Sequence, residues 1–250
     1  MTQNIEIERR GAVQIIRMNR PEKKNALTRA MYAAMADALT RGDADPEVRV
    51  HVFLGVPGAF SAGNDLADFL AIATGGEGGG EVWDFLLALA GSQKPIVSGV
   101  DGIAVGIGTT INLHCDITFA TPRTVFRTPF VDLGLVPEAG SSLLAPRLLG
   151  RQGAYALLGL GEGFSAERAR DAGLIYDVVE EDGLEDAALA AAEDIAAKPP
   201  EALRIARDLM LDSREELRER IRVESEHFRE RLKSDEARAA LMAFMNRKKG

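Results

Sequence analysis

The feature that most constrains this chain is a pair of glycine-containing turns, each placed between an apolar segment and the start of a helix. The first turn is Phe-Ser-Ala-Gly-Asn-Asp-Leu at 60–66, after the apolar segment 48–56. The second turn is Asp-Gly-Ile-Ala-Val-Gly-Ile-Gly at 101–108, after the apolar segment 95–100. Buried strands that alternate with helices are typical of sheets whose parallel strands are joined by crossover connections. We therefore predict an α/β fold.

The N-terminal segment reads as a hairpin, and a helix follows it. Mostly alternating apolar residues on either side of Gly11 indicate two strands. Thr28 can accept a hydrogen bond as the N-cap of a helix that ends near Arg41, ahead of Gly42. The first half of the core is thus predicted to open with a strand pair and one amphipathic helix.

The C-terminal part of the chain is predicted to be helical and charged. We divide the sequence into a core, 1–197, and a helical region, 198–250, at the Lys-Pro-Pro segment that starts at Lys198. The helix predicted over 214–233 alternates Glu and Arg and carries a stripe of apolar residues. It is either a solvated helix with ion pairs along its surface, or one whose stripe packs against the body or a neighbouring subunit.

Composition excludes several classes of protein. The 250 residues carry 30 Lys and Arg against 38 Asp and Glu, and a net charge of −8 argues against a broad nucleic-acid surface. Cys115 is the only cysteine, so no intramolecular disulfide can form, and the three scattered histidines predict no metal site. We find no apolar run long enough for a membrane span and no secretory signal at the N-terminus, and we expect a cytoplasmic protein.

The two glycine-containing turns are candidates for holding a negatively charged oxygen. The first turn of a helix has N–H groups without partners, together with the positive end of the helix dipole. Two such turns that face each other would direct two N–H donors at one oxygen. Turns of this kind are also common in α/β folds that bind nothing there, so spacing alone leaves both interpretations open.

Four segments, in this order, resemble signatures of the crotonase (enoyl-CoA hydratase/isomerase) superfamily. They are Arg-Pro-Glu-Lys-Lys-Asn-Ala-Leu-Thr at 20–28, the first turn at 60–66, the segment 94–116 that ends in Cys115-Asp116, and the segment 164–179. The resemblance covers nearly the whole chain. It implies a crotonase-type β-β-α superhelix followed by a C-terminal helical trimerisation region, and it implies a homotrimer or a hexamer made of two trimers.

The resemblance also implies an acyl-CoA thioester as the partner, with coenzyme A as part of the substrate and no separate cofactor. The backbone N–H groups of Asn64 and Ile107 fall at the two positions of the family that form the oxyanion hole. The positions that border the CoA moiety correspond to Lys24, Ala26, Leu27, Ala62, Gly63, Asp65 and Leu66. Lys23 and Lys24, and the cluster at 247–249, are the cations expected to meet the phosphates.

The type of reaction depends on the acidic side chains. Hydratases of the superfamily carry two glutamates, and the corresponding positions here are Thr110 and Phe130, neither of which is an acid. Glu138, eight residues after Phe130, resembles the acid of Δ3,Δ2-enoyl-CoA isomerases, especially those of the peroxisomal type. The alternative interpretation is that Glu138 only caps a helix that begins at Ala139.

In the implied reaction, Glu138 removes a proton from C2 of a 3-enoyl thioester and returns it at C4. Burial beside Phe130 and its apolar neighbours predicts a raised pKa for this carboxyl group. Asp65 and Asp132 are alternative bases, and Phe69, Trp83 and Phe130 are candidates for the acyl pocket. The competing hypotheses are a weak hydratase, an isomerase of ring substrates, and a scaffold that binds acyl-CoA without turnover.

Overall fold

The structure is a computed structural model, and it describes residues 4–65, 67–68, 80–211 and 213–247. The strands are β1 (Ile5–Arg10), β2 (Val13–Met18), β3 (Val50–Leu54), β4 (Ala59–Ser61), β5 (Ile96–Val100), β6 (Ile103–Val105), β7 (Ile117–Ala120), β8 (Val125–Arg127), β9 (Phe164–Ser165) and β10 (Asp177–Val178). The α-helices are α1 (Arg29–Ala44), α2 (Gly80–Gly91), α3 (Ile107–Thr110), α4 (Ser141–Ala154), α5 (Ala166–Asp171), α6 (Leu184–Ala196), α7 (Pro200–Met210), α8 (Arg214–Leu232) and α9 (Asp235–Arg247).

The strands form two sheets, and the chain moves from one sheet to the other at each repeat. The first sheet has the order β1-β2-β3-β5-β7-β10, and the second has the order β4-β6-β8-β9. Each of the strands β3, β5 and β7 is followed by a short strand of the second sheet, namely β4, β6 and β8. Pairing is parallel except in the hairpin β1-β2 and between β8 and β9. The predicted α/β fold and its β-β-α repeat are confirmed.

The N-terminal hairpin and helix α1 form as predicted, with one difference at the end of the helix. The hydroxyl group of Thr28 caps α1 and accepts a hydrogen bond from the N–H of Met31 at 3.3 Å. The helix runs through Gly42 to Ala44 instead of ending near Arg41. A Cβ atom on Gly42 would lie 2.5 Å from Cε1 of His51, so the missing side chain at Gly42 lets α1 pack closely against His51 on β3.

The C-terminal helices are attached to the core by buried polar and apolar contacts. Arg207 on α7 is buried and donates to the carboxylate of Asp116 at 2.8 Å and to the carbonyl of Ser92 at 2.9 Å. On α8, Leu217 and Ile221 are buried, so the apolar stripe of this helix packs against the body of the protein. The role of 198–250 in oligomerisation stays a prediction. Among the helices that the structure describes, none is long and apolar enough to span a membrane.

Candidate active site

The two glycine-containing turns lie side by side because the strands before them are neighbours. β4 and β6 pair in parallel in the second sheet, so the chain leaves both strands at the same edge. A Cβ atom on Gly63 would lie 3.0 Å from the carbonyl oxygen of Val105, and one on Gly108 would lie 2.7 Å from the carbonyl oxygen of Ser61. The absence of side chains at these positions is what allows the two backbones to meet.

Each turn presents an amide group that the fold itself does not use. Residues 63 and 65 bond to Leu27 on either side of Asn64, since Leu27 donates to the Gly63 carbonyl at 2.8 Å and accepts from the Asp65 N–H at 2.9 Å. Ile107 is the first residue of α3, where an N–H group has no partner within the helix. In the described part of the chain, neither the N–H of Asn64 nor that of Ile107 has a hydrogen-bond partner.

A cavity of about 340 Å³ opens beside the first turn. Its wall is mostly apolar, and it is built by α1, the first turn, α2 and α8. The residues that matter for the chemistry and shape of this cavity are Leu27, Tyr32, Asn64, Trp83, Glu138 and Phe228. An apolar cavity with a few polar groups directed into it is the usual form of a small-molecule site.

Glu138 is the buried carboxyl group of this cavity. Its side chain is only 6% exposed, and its Oε1 atom accepts a hydrogen bond from the hydroxyl group of Thr110 at 2.7 Å. Burial raises the pKa of Glu138, the hydrogen bond from Thr110 lowers it, and the nearby carboxylate of Glu224 raises it, which together give a pKa of about 7. A carboxyl group with a pKa near neutrality is suited to both accepting and returning a proton. The predicted rise in pKa is confirmed.

Tyr32 is a cavity residue that sequence reasoning missed. Its ring lies in the core on the buried face of α1, and its hydroxyl group donates to Oδ1 of Asn64 at 2.5 Å. Burial, together with the nearby carboxylate of Glu138, raises the pKa of Tyr32 well above its usual value, so the hydroxyl keeps its proton. A tyrosine at an otherwise apolar helix position was the available signal, because a buried hydroxyl group needs a partner.

The other acids near the cavity are engaged by partners. Burial raises the pKa of Asp65, but its bonds with Arg20, at 2.7 Å, and with the N–H of Ala67 outweigh burial and lower the pKa overall. Asp68 accepts from the N–H of Arg29 at 2.9 Å. The carboxylate of Asp132 is half exposed and pairs with Arg127 at 3.0 Å, and Asp132 is not among the residues that line the cavity.

The segments predicted to border CoA are held together by backbone hydrogen bonds. The N–H of Ala62 donates to the carbonyl of Lys24 at 2.8 Å, and Ala26 lies between Lys24 and the Leu27–Gly63 bond. Leu27 and Asp65 line the cavity, and the side chain of Lys24 is exposed to solvent. Leu66, and residues 248 and 249 of the predicted cluster at 247–249, lie outside the described residues.

The three candidates for the acyl pocket fall in different places. Trp83 lines the cavity from α2. Phe130 is buried in the hydrophobic core and is not among the side chains that line this cavity. Phe69 lies outside the described residues.

The capping interpretation of Glu138 is wrong. Helix α4 begins at Ser141, not at Ala139, and its N-cap is Gly140. The carboxylate that accepts hydrogen bonds from this helix start belongs to Glu224, from the N–H groups of Gly140 at 2.6 Å and Ser142 at 2.9 Å. The side chain of Glu138 therefore does not cap this helix, and it lines the cavity instead.

Comparison with known proteins agrees with this geometry. A family model described as enoyl-CoA hydratase/isomerase matches residues 8–250. The chain belongs to this family. Enoyl-CoA delta isomerase 2 of Rattus norvegicus is 34% identical over 244 residues, which are 95% of this chain and 62% of the rat protein. A probable enoyl-CoA hydratase of Rhizobium meliloti is 31% identical over 253 residues, which are 97% of this chain and 95% of that protein.

A solved structure of a related protein has the same enoyl-CoA hydratase/isomerase fold. OdaA of Pseudomonas aeruginosa superposes with a TM-score of 0.92 at 42% identity, over 98% of this chain and 99% of that one. Relatives named as isomerases and as hydratases are both found, so family membership does not select the reaction. The choice between the two reactions has to be argued from the side chains of the cavity.

Proposed function

We propose that this protein is an acyl-CoA isomerase that moves the double bond of a 3-enoyl-CoA to the 2-position. The carboxylate of Glu138 takes the proton from C2, and the electron pair left behind delocalises through the C3–C4 double bond and the carbonyl group as a dienolate. The N–H groups of Asn64 and Ile107 hold the negatively charged oxygen. Glu138 then gives the same proton to C4, which leaves the double bond between C2 and C3 and the enzyme unchanged.

The observation that carries this proposal is a single buried carboxyl group with a pKa near 7, in a cavity bordered by one of the two free amides. Isomerisation needs one group that accepts and then returns a proton. Hydration needs a group that activates water and a group that protonates carbon. Thr110, at one position where hydratases carry a glutamate, donates a hydrogen bond to Glu138, and Phe130, at the other, is part of the core.

The second candidate is an enoyl-CoA hydratase, because the Rhizobium meliloti relative carries that name. The two reactions consume different substrates. Offering a 3-enoyl-CoA and a 2-enoyl-CoA separately, and following which is converted and to what, distinguishes them. We expect conversion of the 3-enoyl thioester and little or no addition of water to the 2-enoyl thioester.

The decisive variant is Glu138→Gln, which keeps the size of the side chain and removes the base. We expect turnover of 3-enoyl-CoA to fall by about 10²-fold to 10⁴-fold, the range usual for general acid–base groups. Binding of a saturated acyl-CoA, measured by calorimetry, is expected to stay within about twofold of the parent protein. Asp132→Asn is the matched control, since that carboxylate is half exposed, pairs with Arg127 and does not line the cavity.

Two results would contradict the proposal. Turnover of Glu138→Gln near that of the parent would remove Glu138 as the proton shuttle. Binding of acyl-CoA by the parent without turnover of either substrate would favour the scaffold hypothesis instead.

We also propose that the protein assembles as a homotrimer, or as a hexamer of two trimers, through the region after residue 198. Large apolar side chains of this region are exposed in the single chain. They include Ile205, Leu209, Met210 and Leu211 on and directly after α7, and Leu209 is 81% exposed. Exposed apolar side chains grouped on one element are typical of a protein–protein interface.

A further inference from the structure

The turn that follows Glu138 has a backbone conformation that needs external support. Ala139 has φ of 59° and Gly140 has φ of 70°, so two consecutive residues lie in the left-handed region. Glycine adopts this region without strain, but a residue with a Cβ atom is uncommon there and the conformation costs free energy. Contacts with the rest of the protein must therefore hold the turn, and with it the backbone that carries Glu138.

Two side chains from distant parts of the chain, the half-buried His114 and the buried Glu224, supply these contacts. Nε2 of His114 donates to the carbonyl oxygen of Ala139 at 2.7 Å. The carboxylate of Glu224 accepts at Oε2 from the N–H of Gly140 at 2.6 Å. At Oε1 it accepts from the N–H of Ser142 at 2.9 Å and from the Ser142 hydroxyl at 2.5 Å. Burial raises the pKa of Glu224 above its usual value, while the three donors and the nearby Arg220 guanidinium favour the ionised carboxylate.

Glu224 performs the N-capping of α4 that no local side chain provides. It lies on α8, 84 residues beyond Gly140, and only 6% of its surface is exposed. α8 packs directly on the turn, because a Cβ atom on Gly140 would lie 2.4 Å from Cδ1 of Leu217. Ser225 and Phe228, one and four residues later on the same helix, line the cavity, whereas Glu224 does not.

We propose that Glu224 is a positioning residue for Glu138: through the Gly140 and Ser142 amides it fixes the turn that directs the Glu138 side chain into the cavity. This inference rests on the proposed function, in which Glu138 is the base. Glu224 touches no substrate in this role. Its effect is transmitted by the backbone of 139–142, and a misplacement of a reacting group by about 1 Å can lower a rate on the order of 100-fold.

The Glu224 carboxylate also acts on Glu138 through its charge. Burial is the largest cause of the raised pKa of Glu138, and the negative charge of Glu224 adds to it. Besides Glu138 and Glu224, the titratable or charged groups that line the cavity or bond to this turn, among the described residues, are Arg29 and Tyr32 on α1, Asp65 and Asp68 near the first turn, His114 after α3, and Arg220 and Arg229 on α8. Loss of the charge at 224 is therefore expected to lower the pKa of Glu138.

Two variants separate position from charge. Glu224→Gln keeps the length of the side chain and removes the charge, while Glu224→Asp keeps the charge and withdraws the carboxylate by one methylene group. The matched control is Glu226→Gln, which removes an exposed carboxylate from the same helix. For each variant we would measure kcat, KM and the pH dependence of kcat/KM on a 3-enoyl-CoA, with circular dichroism to verify folding.

We expect both variants at 224 to lower kcat by about 10-fold to 100-fold with KM within about twofold, because the cavity wall is intact. In Glu224→Gln the acidic limb of the pH profile should move to lower pH by up to about one unit, and in Glu224→Asp it should stay in place. Glu226→Gln should match the parent in all three measurements. If the glutamine variant does not fold, the kcat of the aspartate variant decides.

The outcome that overturns the inference is a folded Glu224→Gln or Glu224→Asp protein with the kcat and pH profile of the parent. Measured beside them, Glu138→Gln tells the two proposals apart. An inactive Glu138→Gln protein together with a fully active Glu224 variant removes only the positioning role. An active Glu138→Gln protein removes the proposed function on which that role rests.

Discussion

At the scale of single residues, the chemistry of the site depends on how one carboxyl group is surrounded. Burial raises the pKa of Glu138 to about 7, while the hydrogen bond from Thr110 favours the ionised form. The balance leaves a substantial fraction of the carboxyl group ionised at neutral pH and makes it a stronger base than an exposed glutamate. Asp132 differs from Glu138 because its carboxylate is half exposed to solvent and pairs with Arg127.

The pH dependence of activity follows from this balance. In the proposed mechanism the ionised form of Glu138 is the base, so kcat/KM is expected to fall as the pH drops through about 7, with a slope that corresponds to one proton. In Thr110→Val the loss of the donor disfavours the ionised form, so this limb should move to higher pH by about one unit.

The control for this measurement is Thr40→Val, whose hydroxyl group bonds only to the carbonyl of Ala36 within its own helix among the described residues. Its profile should coincide with that of the parent. An acidic limb below pH 5 in the parent, as expected for an ordinary glutamate, would contradict the assignment of the base.

At the scale of elements, the two turns depend on contact between backbones. Gly108 has the negative φ of a helix, so its role is to leave space and not to reach an unusual conformation. A Cβ atom there would lie 2.7 Å from the Ser61 carbonyl oxygen and 2.9 Å from Ser61 Cβ. Because Ile107 directly precedes Gly108 and Asn64 lies three residues after Ser61, we expect the packing of Gly108 on Ser61 to set the separation of the two amides.

Gly108→Ala is therefore expected to push the turns apart and to lower kcat by about 10²-fold, the effect of losing one oxyanion donor. The overpacking should also reduce the free energy of unfolding by about 1–3 kcal/mol. Steady-state kinetics and thermal unfolding measure the two effects. Gly183→Ala is the control, since nothing lies within 4 Å of the corresponding Cβ position. A Gly108→Ala enzyme with the kcat of the parent would contradict the prediction that close contact between the two turns is needed to hold both amides in place.

At the scale of the whole molecule, the C-terminal region has two faces with different roles. α8 supplies Phe228 to the wall of the cavity and Glu224 to the start of α4, so this helix completes the site of its own chain. α7 is joined to the core by Arg207 but exposes Leu209 and Met210. The face that carries Glu224 and Phe228 packs on the core of the same chain. The face that exposes Leu209 and Met210 is the candidate surface for other subunits.

The assembly is tested by light scattering coupled to gel filtration, where we expect three or six times the mass of one chain. Leu209→Glu places a charge on the exposed apolar face and should shift the protein towards the single-chain mass. Ile7→Glu, at an apolar position that is half exposed on β1, is the control and should leave the mass unchanged. A parent protein with the mass of one chain would contradict the proposed homotrimer.

The sequence by itself was sufficient for the fold and for the positions of the main groups. The α/β pattern, the N-terminal hairpin, the Thr28 cap and the two glycine-containing turns could be predicted because they depend on local spacing and on residue types with strong backbone preferences. The resemblance to the family then predicted Glu138 as the base, because the two positions usual for hydratase glutamates hold Thr110 and Phe130, and that role stays a prediction.

Only the tertiary structure decided which groups surround Glu138. Tyr32, His114 and Glu224 come from an N-terminal helix, the segment after α3 and a C-terminal helix, and nothing in the local sequence of His114 or Glu224 marks them. The wrong interpretation of Glu138 as a helix cap has the same origin, because the side chain that caps α4 lies 84 residues beyond its N-cap residue, Gly140. Local spacing fixes hydrogen bonds within an element, whereas contacts between distant elements depend on how the whole chain packs.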